Sequence, residues 1–336
     1  MKVFLTGGAG YIGSHICIEL LKAHHQVLIY DNLSNSSFIA INRIKTITNC
    51  EIEFIKGDIR DPILMNKSME RFLPDVVIHC GGLKAVGESV ANPEKYYDVN
   101  VCGSIAIINA MKKSKCKNII FSSSATVYGE AVYLPYDEIH PLKPTNPYGR
   151  TKLIVEQLLE DWVNSANNNR AVCLRYFNPV GAHSSGKIGE DPAGMPNNLM
   201  PYISQVAIGK LDCLSIFGDD YSTHDGTGGR DYIHVVDLAI GHLRAIERIF
   251  RLNRYQILNL GTGNITTVKE LISAFERASG KKVATKIKDR RPGDVAESWA
   301  DPSLANSLLD IKFERTIDDM CNDAWRWQSE NPNGYL

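Results

Sequence analysis

Short apolar runs recur through the first half of the chain, at 2–6, 26–31, 51–58, 75–80, 118–124 and 171–177. Each ends on glycine, serine, asparagine or an acid, and a stretch of helical period follows most of them. That period predicts helices after Gly13, over 38–49, 62–73 and 93–113, and from Pro147 through Trp162. Several runs are apolar at successive positions, which suits strands covered on both faces. Strand alternating with helix predicts an α/β fold built on a doubly wound parallel sheet. Ligands on such sheets lie at the carboxyl ends of the strands. The tips to watch are therefore 7–13, 31–36, 58–59, 80–84 and 122–124.

Past Asn178 the texture changes. Residues 178–198 are rich in Gly, Pro, Asn and His, a long loop of the kind that carries function. A boundary here gives a cofactor domain over 1–177 and a smaller substrate domain over 178–336, with about 230–260 expected to pack back on the first. In the second half the pattern predicts helices at 199–209, 236–250, 267–279, 303–309 and 316–328, and strands at 214–217, 256–260 and 282–287.

The first turn carries the most specific chemistry. Gly7-Gly8-Ala9-Gly10-Tyr11-Ile12-Gly13 joins an apolar strand to a helix, and Asp31 closes the next strand. Glycines let backbone approach a pyrophosphate, the helix start offers free N–H groups, and Gly13 lets the helix pack on the sheet. An acid about twenty residues on grips a ribose 2′-hydroxyl and repels a 2′-phosphate, which points to NAD rather than NADP. The polar loop from Asn32 through Asn35 and Ser36 suits an adenosine, and Asp58 an adenine amino group or a plain turn.

Composition narrows the field. The 336 residues carry a net charge of −1 with no basic block, so neither nucleic acid nor an anionic membrane is expected as partner. Eight cysteines form no Cys-x-x-Cys pair, which suggests buried thiols in a reducing cytoplasm. The chain runs straight into a strand, so no secretory leader is expected, and no apolar run is long enough to span a bilayer. The nine histidines lack ligand spacing, so no metal is expected.

Tyr148 and Lys152 stand four apart at the start of a helix and share a face. A phenol needs to lose about three pKa units, roughly 4 kcal/mol, to serve as a base near neutrality. An ammonium some 6 Å away supplies roughly 3 kcal/mol at an effective dielectric of about 20. The charge of an oxidised nicotinamide would add the remainder. Ser124, at a strand tip, is placed to bridge the phenol and a substrate.

With these residues the chain resembles the extended short-chain dehydrogenase/reductases, and among them the UDP-hexose 4-epimerase family. The motifs are Thr6-Gly-Gly-Ala-Gly-Tyr-Ile-Gly-Ser14, Gly82-Leu-Lys-Ala-Val-Gly-Glu-Ser89, Phe121-Ser-Ser-Ser-Ala-Thr-Val-Tyr-Gly129 and Asn146-Pro-Tyr-Gly-Arg-Thr-Lys152. Arg175-Tyr-Phe-Asn-Pro-Val-Gly-Ala182, Pro196-Asn-Asn-Leu-Met-Pro201 and Asp225-Gly-Thr-Gly-Gly-Arg-Asp-Tyr-Ile-His234 extend the match over nearly the whole length.

The resemblance implies a Rossmann domain with bound NAD. It also implies oxidation at C4 of a UDP-sugar, rotation of the 4-ketosugar and re-reduction, with Tyr148, Ser124 and Lys152 catalytic. It adds Ile59, Cys80, Gly81, Gly82, Lys84, Asn100, Ser122 and Phe177 to the cofactor set. For the UDP-sugar it implies Lys84, Asn178, Asn198, Leu199, Ser215, Phe217 beside uracil, Arg230 and Arg291 on the diphosphate, Asp294 at the ribose, and Ser298. A homodimer through helices 93–113 and 146–165 is also implied. Ser298 stands where many relatives have tyrosine, leaving room for an N-acetyl group, and Val99 and Gly81 replace a common asparagine and alanine. Related dehydratases need an acid pair after the serine strand; this chain has Ala125-Thr126.

Overall fold

The structure is a computed structural model describing residues 1–291 and 294–336. Its first strands are β1 (Lys2–Thr6), β2 (Gln26–Asp31), β3 (Glu53–Lys56), β4 (Val76–His79), β5 (Asn118–Ser124) and β6 (Arg170–Tyr176). Then come β7 (Asn178–Val180), β8 (Leu214–Phe217), β9 (Gly229–His234), β10 (Tyr255–Leu260), β11 (Ile265–Thr267), β12 (Thr285–Lys288) and β13 (Glu297–Ser298).

Seven strands form one parallel sheet in the order β10-β6-β5-β4-β1-β2-β3. The chain reverses its direction of growth at β1, which pairs with both β2 and β4. A crevice at that switch point opens at the carboxyl ends of those strands. Along β1 the side chains alternate between two cores: Val3 and Leu5 enter one, Phe4 the other. Both faces are covered, so the strand reads as one unbroken apolar run.

Helices α1 (Tyr11–Lys22), α2 (Phe38–Thr48), α3 (Pro62–Phe72), α4 (Val86–Ala91), α5 (Pro93–Tyr96), α6 (Gly103–Ser114) and α7 (Pro147–Asn164) belong to this half. Asp61 and Asn146 cap α3 and α7, each with proline at the first helical position. The expected single helix over 93–113 is interrupted by a π-helical turn, Tyr97–Cys102. Asn100 lies in that turn, with its amide bonded to both main-chain groups of Leu83 and to the Thr151 hydroxyl. The tertiary partners of one side chain thus go with a local wide turn that periodicity could not show.

The remaining helices are α8 (Leu199–Ala207), α9 (Val235–Arg248), α10 (Val268–Ser279), α11 (Ser303–Leu309) and α12 (Ile317–Glu330). A third core joins α8, α10 and α12 through Met200, Ile203, Leu271, Phe275 and Met320. The layers do not follow one cut in sequence. β10 is an edge strand of the large sheet, and Leu238, Ala245, Ala305 and Leu309 of α9 and α11 enter its core. Among the described residues, no helix is long and apolar enough to cross a membrane.

Candidate active site

The glycine turn lies against the β4 tip. Gly7 has φ +69°, and a Cβ there would sit 2.7 Å from Gly81 N. A Cβ on Gly13 would sit 2.2 Å from the Gly7 carbonyl oxygen, so only glycine lets α1 pack this closely on the turn. Gly10 caps α1 with no side-chain bond, which leaves the first-turn N–H groups for another acceptor. Ile12 packs on the core below, and the Tyr11 hydroxyl donates to the Gly181 carbonyl at 2.7 Å.

Asp31 is buried and accepts from Ala9 N at 3.0 Å, Leu33 N at 2.9 Å and the Ser36 hydroxyl at 2.9 Å. It therefore holds the glycine turn and the 32–36 loop together. Asp58 accepts Asn32 Nδ2 at 3.1 Å and three N–H groups of Arg60, which hold its carboxyl well below the usual carboxylate range. Arg60 also reaches Asp98 at 2.6 Å. Asn35 accepts from Ala193 N at 3.3 Å, bringing the 178–198 loop beside this end. Ile59 is buried against Gly103.

Ser124, Tyr148 and Lys152 converge at the carboxyl ends of the strands. Ser124 ends β5 and accepts from Thr126 N at 3.2 Å and Thr126 Oγ1 at 2.9 Å. Asn146, accepting Gly149 N at 2.9 Å, starts α7 so that half-buried Tyr148 falls in its first turn. Lys152 Nζ donates to the Ser122 carbonyl at 2.7 Å and lies 5.8 Å from the centre of the Tyr148 ring.

Burial lowers Lys152 to about 8. Burial also raises Tyr148 above the ordinary phenol value, with the Ser124 hydroxyl opposing it. This corrects the expectation that Lys152 alone draws the phenol most of the way to neutrality. The ammonium is bonded to a carbonyl on the neighbouring strand, and loss of water around the phenol is the largest influence on it.

Sequence reading missed what lies beneath. The Ser122 hydroxyl donates to Tyr176 at 2.6 Å, and Tyr176 bonds His242 Nε2, whose Nδ1 is held by the Leu238 carbonyl at 2.9 Å. The Cys80 thiol sits beside these hydroxyls, and burial pushes it up to about 11. One turn past Lys152, Glu156 forms a fully buried two-bond pair with Arg175 at 3.0 and 2.7 Å. The signal was a charged residue inside an apolar strand.

The β4 loop is similarly tied. Gly81 N donates to Thr6 Oγ1 at 3.2 Å, and Gly82 abuts Asn100. Lys84 Nζ bonds Glu190 Oε1 at 2.9 Å, and the same oxygen accepts Asn198 Nδ2 at 2.8 Å. One carboxylate, unforeseen in the sequence, thus joins predicted site residues from the two halves. Asn198 accordingly leaves α8 without a side-chain cap, and Leu199 opens that helix.

In the second half Arg291 lies 4.8 Å over the Phe217 ring, and its Nε donates to Asp294 at 2.8 Å. Ser215 shares strand β8 with Phe217 and pairs with Lys286. Arg230 donates to the Gly229 and Val295 carbonyls at 2.8 and 3.0 Å and faces Ser298 across the β9–β13 pair. Asn178 donates to the Asp231 carbonyl at 3.0 Å, and Phe177 is buried beside Tyr136. Among the described residues no group of three His, Cys, Asp or Glu could hold a metal ion.

The family model described as GDP-mannose 4,6 dehydratase matches residues 4–324. A UDP-glucose 4-epimerase of Bacillus subtilis is 52% identical over 335 residues, covering 100% of this chain and 99% of that protein. This chain belongs to the UDP-glucose 4-epimerase family. The mouse UDP-glucose 4-epimerase is 49% identical over 341 residues, with 99% of this chain and 98% of that protein covered. The Bifidobacterium longum UDP-glucose 4-epimerase, solved in complex with NAD+ and UDP, superposes with a TM-score of 0.95 at 49% identity over 99% of this chain and 100% of that one. The UDP-Glc/GlcNAc 4-epimerase of Campylobacter jejuni gives 0.85 at 34% identity, covering 98% and 99% of the two chains. In this epimerase-family chain Ala125 and Thr126 open the short 3-10 turn after Ser124, with no acid at either position.

Proposed function

We propose that this chain interconverts UDP-glucose and UDP-galactose, using NAD as a resident cofactor. The carrying observation is the convergence of Ser124, Tyr148 and Lys152 at the sheet's carboxyl edge, beside a glycine turn that any Cβ at Gly7 or Gly13 would fill. That turn fits a pyrophosphate, with the open N–H groups of α1 as donors. Asp31 and the 32–36 loop would hold the adenosine ribose, Asp58 the adenine, and Lys152 the nicotinamide ribose. When bound, NAD supplies the hydride acceptor and donor at C4 and, while oxidised, a positive charge that favours the phenolate.

Tyr148 takes the proton of the sugar 4-hydroxyl, with Ser124 relaying it, and returns it after the 4-ketosugar has presented its other face. That turn needs a tight grip on the nucleotide and a loose one on the hexose. Arg230 and Arg291 suit the diphosphate. Phe217 and Asp294 suit the uridine, and Asn178, Asn198 and Leu199 would line the path between. Purified protein given UDP-galactose should form UDP-glucose in a coupled assay; no conversion would defeat this reading.

The half-buried Ser298, facing Arg230, supports a wider substrate range that includes UDP-GlcNAc and UDP-GalNAc. Side-by-side turnover of plain and N-acetylated sugars tests it, and Ser298→Tyr should abolish only the latter. We also infer a homodimer through residues 93–113 and 146–165, supported by exposed Ile105 on α6. A cytoplasmic location is supported by eight cysteines that are all free.

A further inference from the structure

The buried Glu156–Arg175 pair begins a polar path that runs unbroken to the strand of Ser298. Arg175 Nη1 donates to the Tyr128 hydroxyl at 3.0 Å, and that hydroxyl donates to Asn259 Oδ1 at 2.6 Å. Asn259 Nδ2 donates to the Tyr136 carbonyl at 2.9 Å. The same carbonyl accepts Asp301 N at 2.7 Å, while Tyr136 N donates to the Trp299 carbonyl at 2.9 Å. Arg175, Tyr128, Asn259 and Tyr136 are all buried, and the Tyr128 and Tyr136 rings stack at 4.7 Å.

A buried ion pair with its neighbours is weak evidence of stability, because apolar packing at that depth commonly does as well. What a fully satisfied polar chain adds is a single geometry. The path begins on α7 one turn past Lys152 and ends on the residues that follow Ser298. That strand is held from two sides. Asp231, beside Arg230, accepts Ala300 N at 3.1 Å on the β9 side, and Tyr136 holds it on the catalytic side.

We infer that Tyr128 and Asn259 are positioning residues that fix the Ser298 strand relative to the catalytic helix. They govern the room for the hexose and leave the grip on the nucleotide alone. This rests on the proposed reading that the hexose lies between Tyr148 and Ser298. The path does not reach Phe217, Arg291 or Asp294, and the Asp231 anchor keeps the strand beside Arg230 when the path is cut.

The experiment uses the NAD-loaded protein and calorimetric dissociation constants for UDP and for UDP-galactose in Tyr128→Phe and Asn259→Leu. Tyr128→Phe keeps the ring stack and so keeps the fold, with Tm as the check. Loss of one such buried bond is expected to weaken UDP-galactose about five-fold while UDP changes by less than about two-fold. The kcat on UDP-galactose should fall with it. Constants that do not move in Tyr128→Phe, or that rise in step for UDP and UDP-galactose, would overturn the assignment. Because binding is read directly, an inactive parent protein would defeat the reaction above without deciding this point.

Discussion

Lys152 reaches the Ser122 carbonyl at 2.7 Å, so its ammonium stands over the Tyr148 ring, 5.8 Å from the ring centre, and not on the phenol oxygen. A half-buried phenol and a buried ammonium with opposed tendencies therefore share one face of α7. Burial makes the phenol hold its proton and makes the ammonium release one.

The first consequence concerns the phenol itself. Tyr148→Phe should keep the fold and the affinity for NAD but lose about a hundred- to ten-thousand-fold in turnover, the usual worth of a positioned acid–base group. UDP-galactose conversion and NAD content measured on the same preparation check both halves. Near-normal turnover would remove Tyr148 from the reaction.

Lys152 gives stability and activity opposite dependences on pH. Its folded value is about 8 against 10.5 unfolded, so between these values the unfolded chain binds more protons than the folded one. The contribution of this group to stability therefore rises with pH across that window and is flat below it. Turnover should instead fall above about pH 8, as the charge beside the phenol is lost. Denaturant midpoints and initial rates at matched pH values test the pair of trends; rates that stay level to pH 10 would contradict it.

Gly13→Ala should act on the cofactor before it acts on the fold. The added methyl meets the Gly7 carbonyl oxygen, and relieving that contact moves the turn away from α1. Overpacking of this kind costs about 1–3 kcal/mol, and NAD affinity should fall by about ten-fold or more. Equilibrium dialysis with NAD measures the loss, and unchanged affinity would show that the turn is not the pyrophosphate cradle.

Arg175→Met should be the most damaging single change. It leaves Glu156 charged and buried without its partner, which costs about 3–5 kcal/mol. Pairing it with Glu156→Leu removes the stranded charge and should recover most of the loss. Thermal midpoints of the single and double variants decide it; a double variant no more stable than the single would show that the charge is not the cause.

Much of the architecture is legible without coordinates. Doubly covered strands such as β1, with Val3, Phe4 and Leu5 all apolar, can only belong to a sheet packed on both faces. The proline and asparagine before Tyr148 mark the start of α7, and the four-residue spacing places Lys152 one turn above it. The glycine turn and Asp31 are equally local, because both depend on backbone geometry within one strand–turn–helix unit.

Other features required residues far apart in sequence to meet. The π-turn at Asn100 depends on Leu83 and Thr151, and the Lys84 clasp depends on Glu190 and Asn198. The direction of the Tyr148 shift was likewise undecidable from spacing. Coulomb attraction at four residues' distance can be written from the sequence, whereas desolvation depends on how many other segments bury the site. Short-range order in the chain determined the sheet, the turn and the Tyr–Lys pair. The packed assembly alone decided which charges meet, which are stripped of water and which hydroxyls bond, because those quantities belong to three-dimensional neighbours and not to neighbours in sequence.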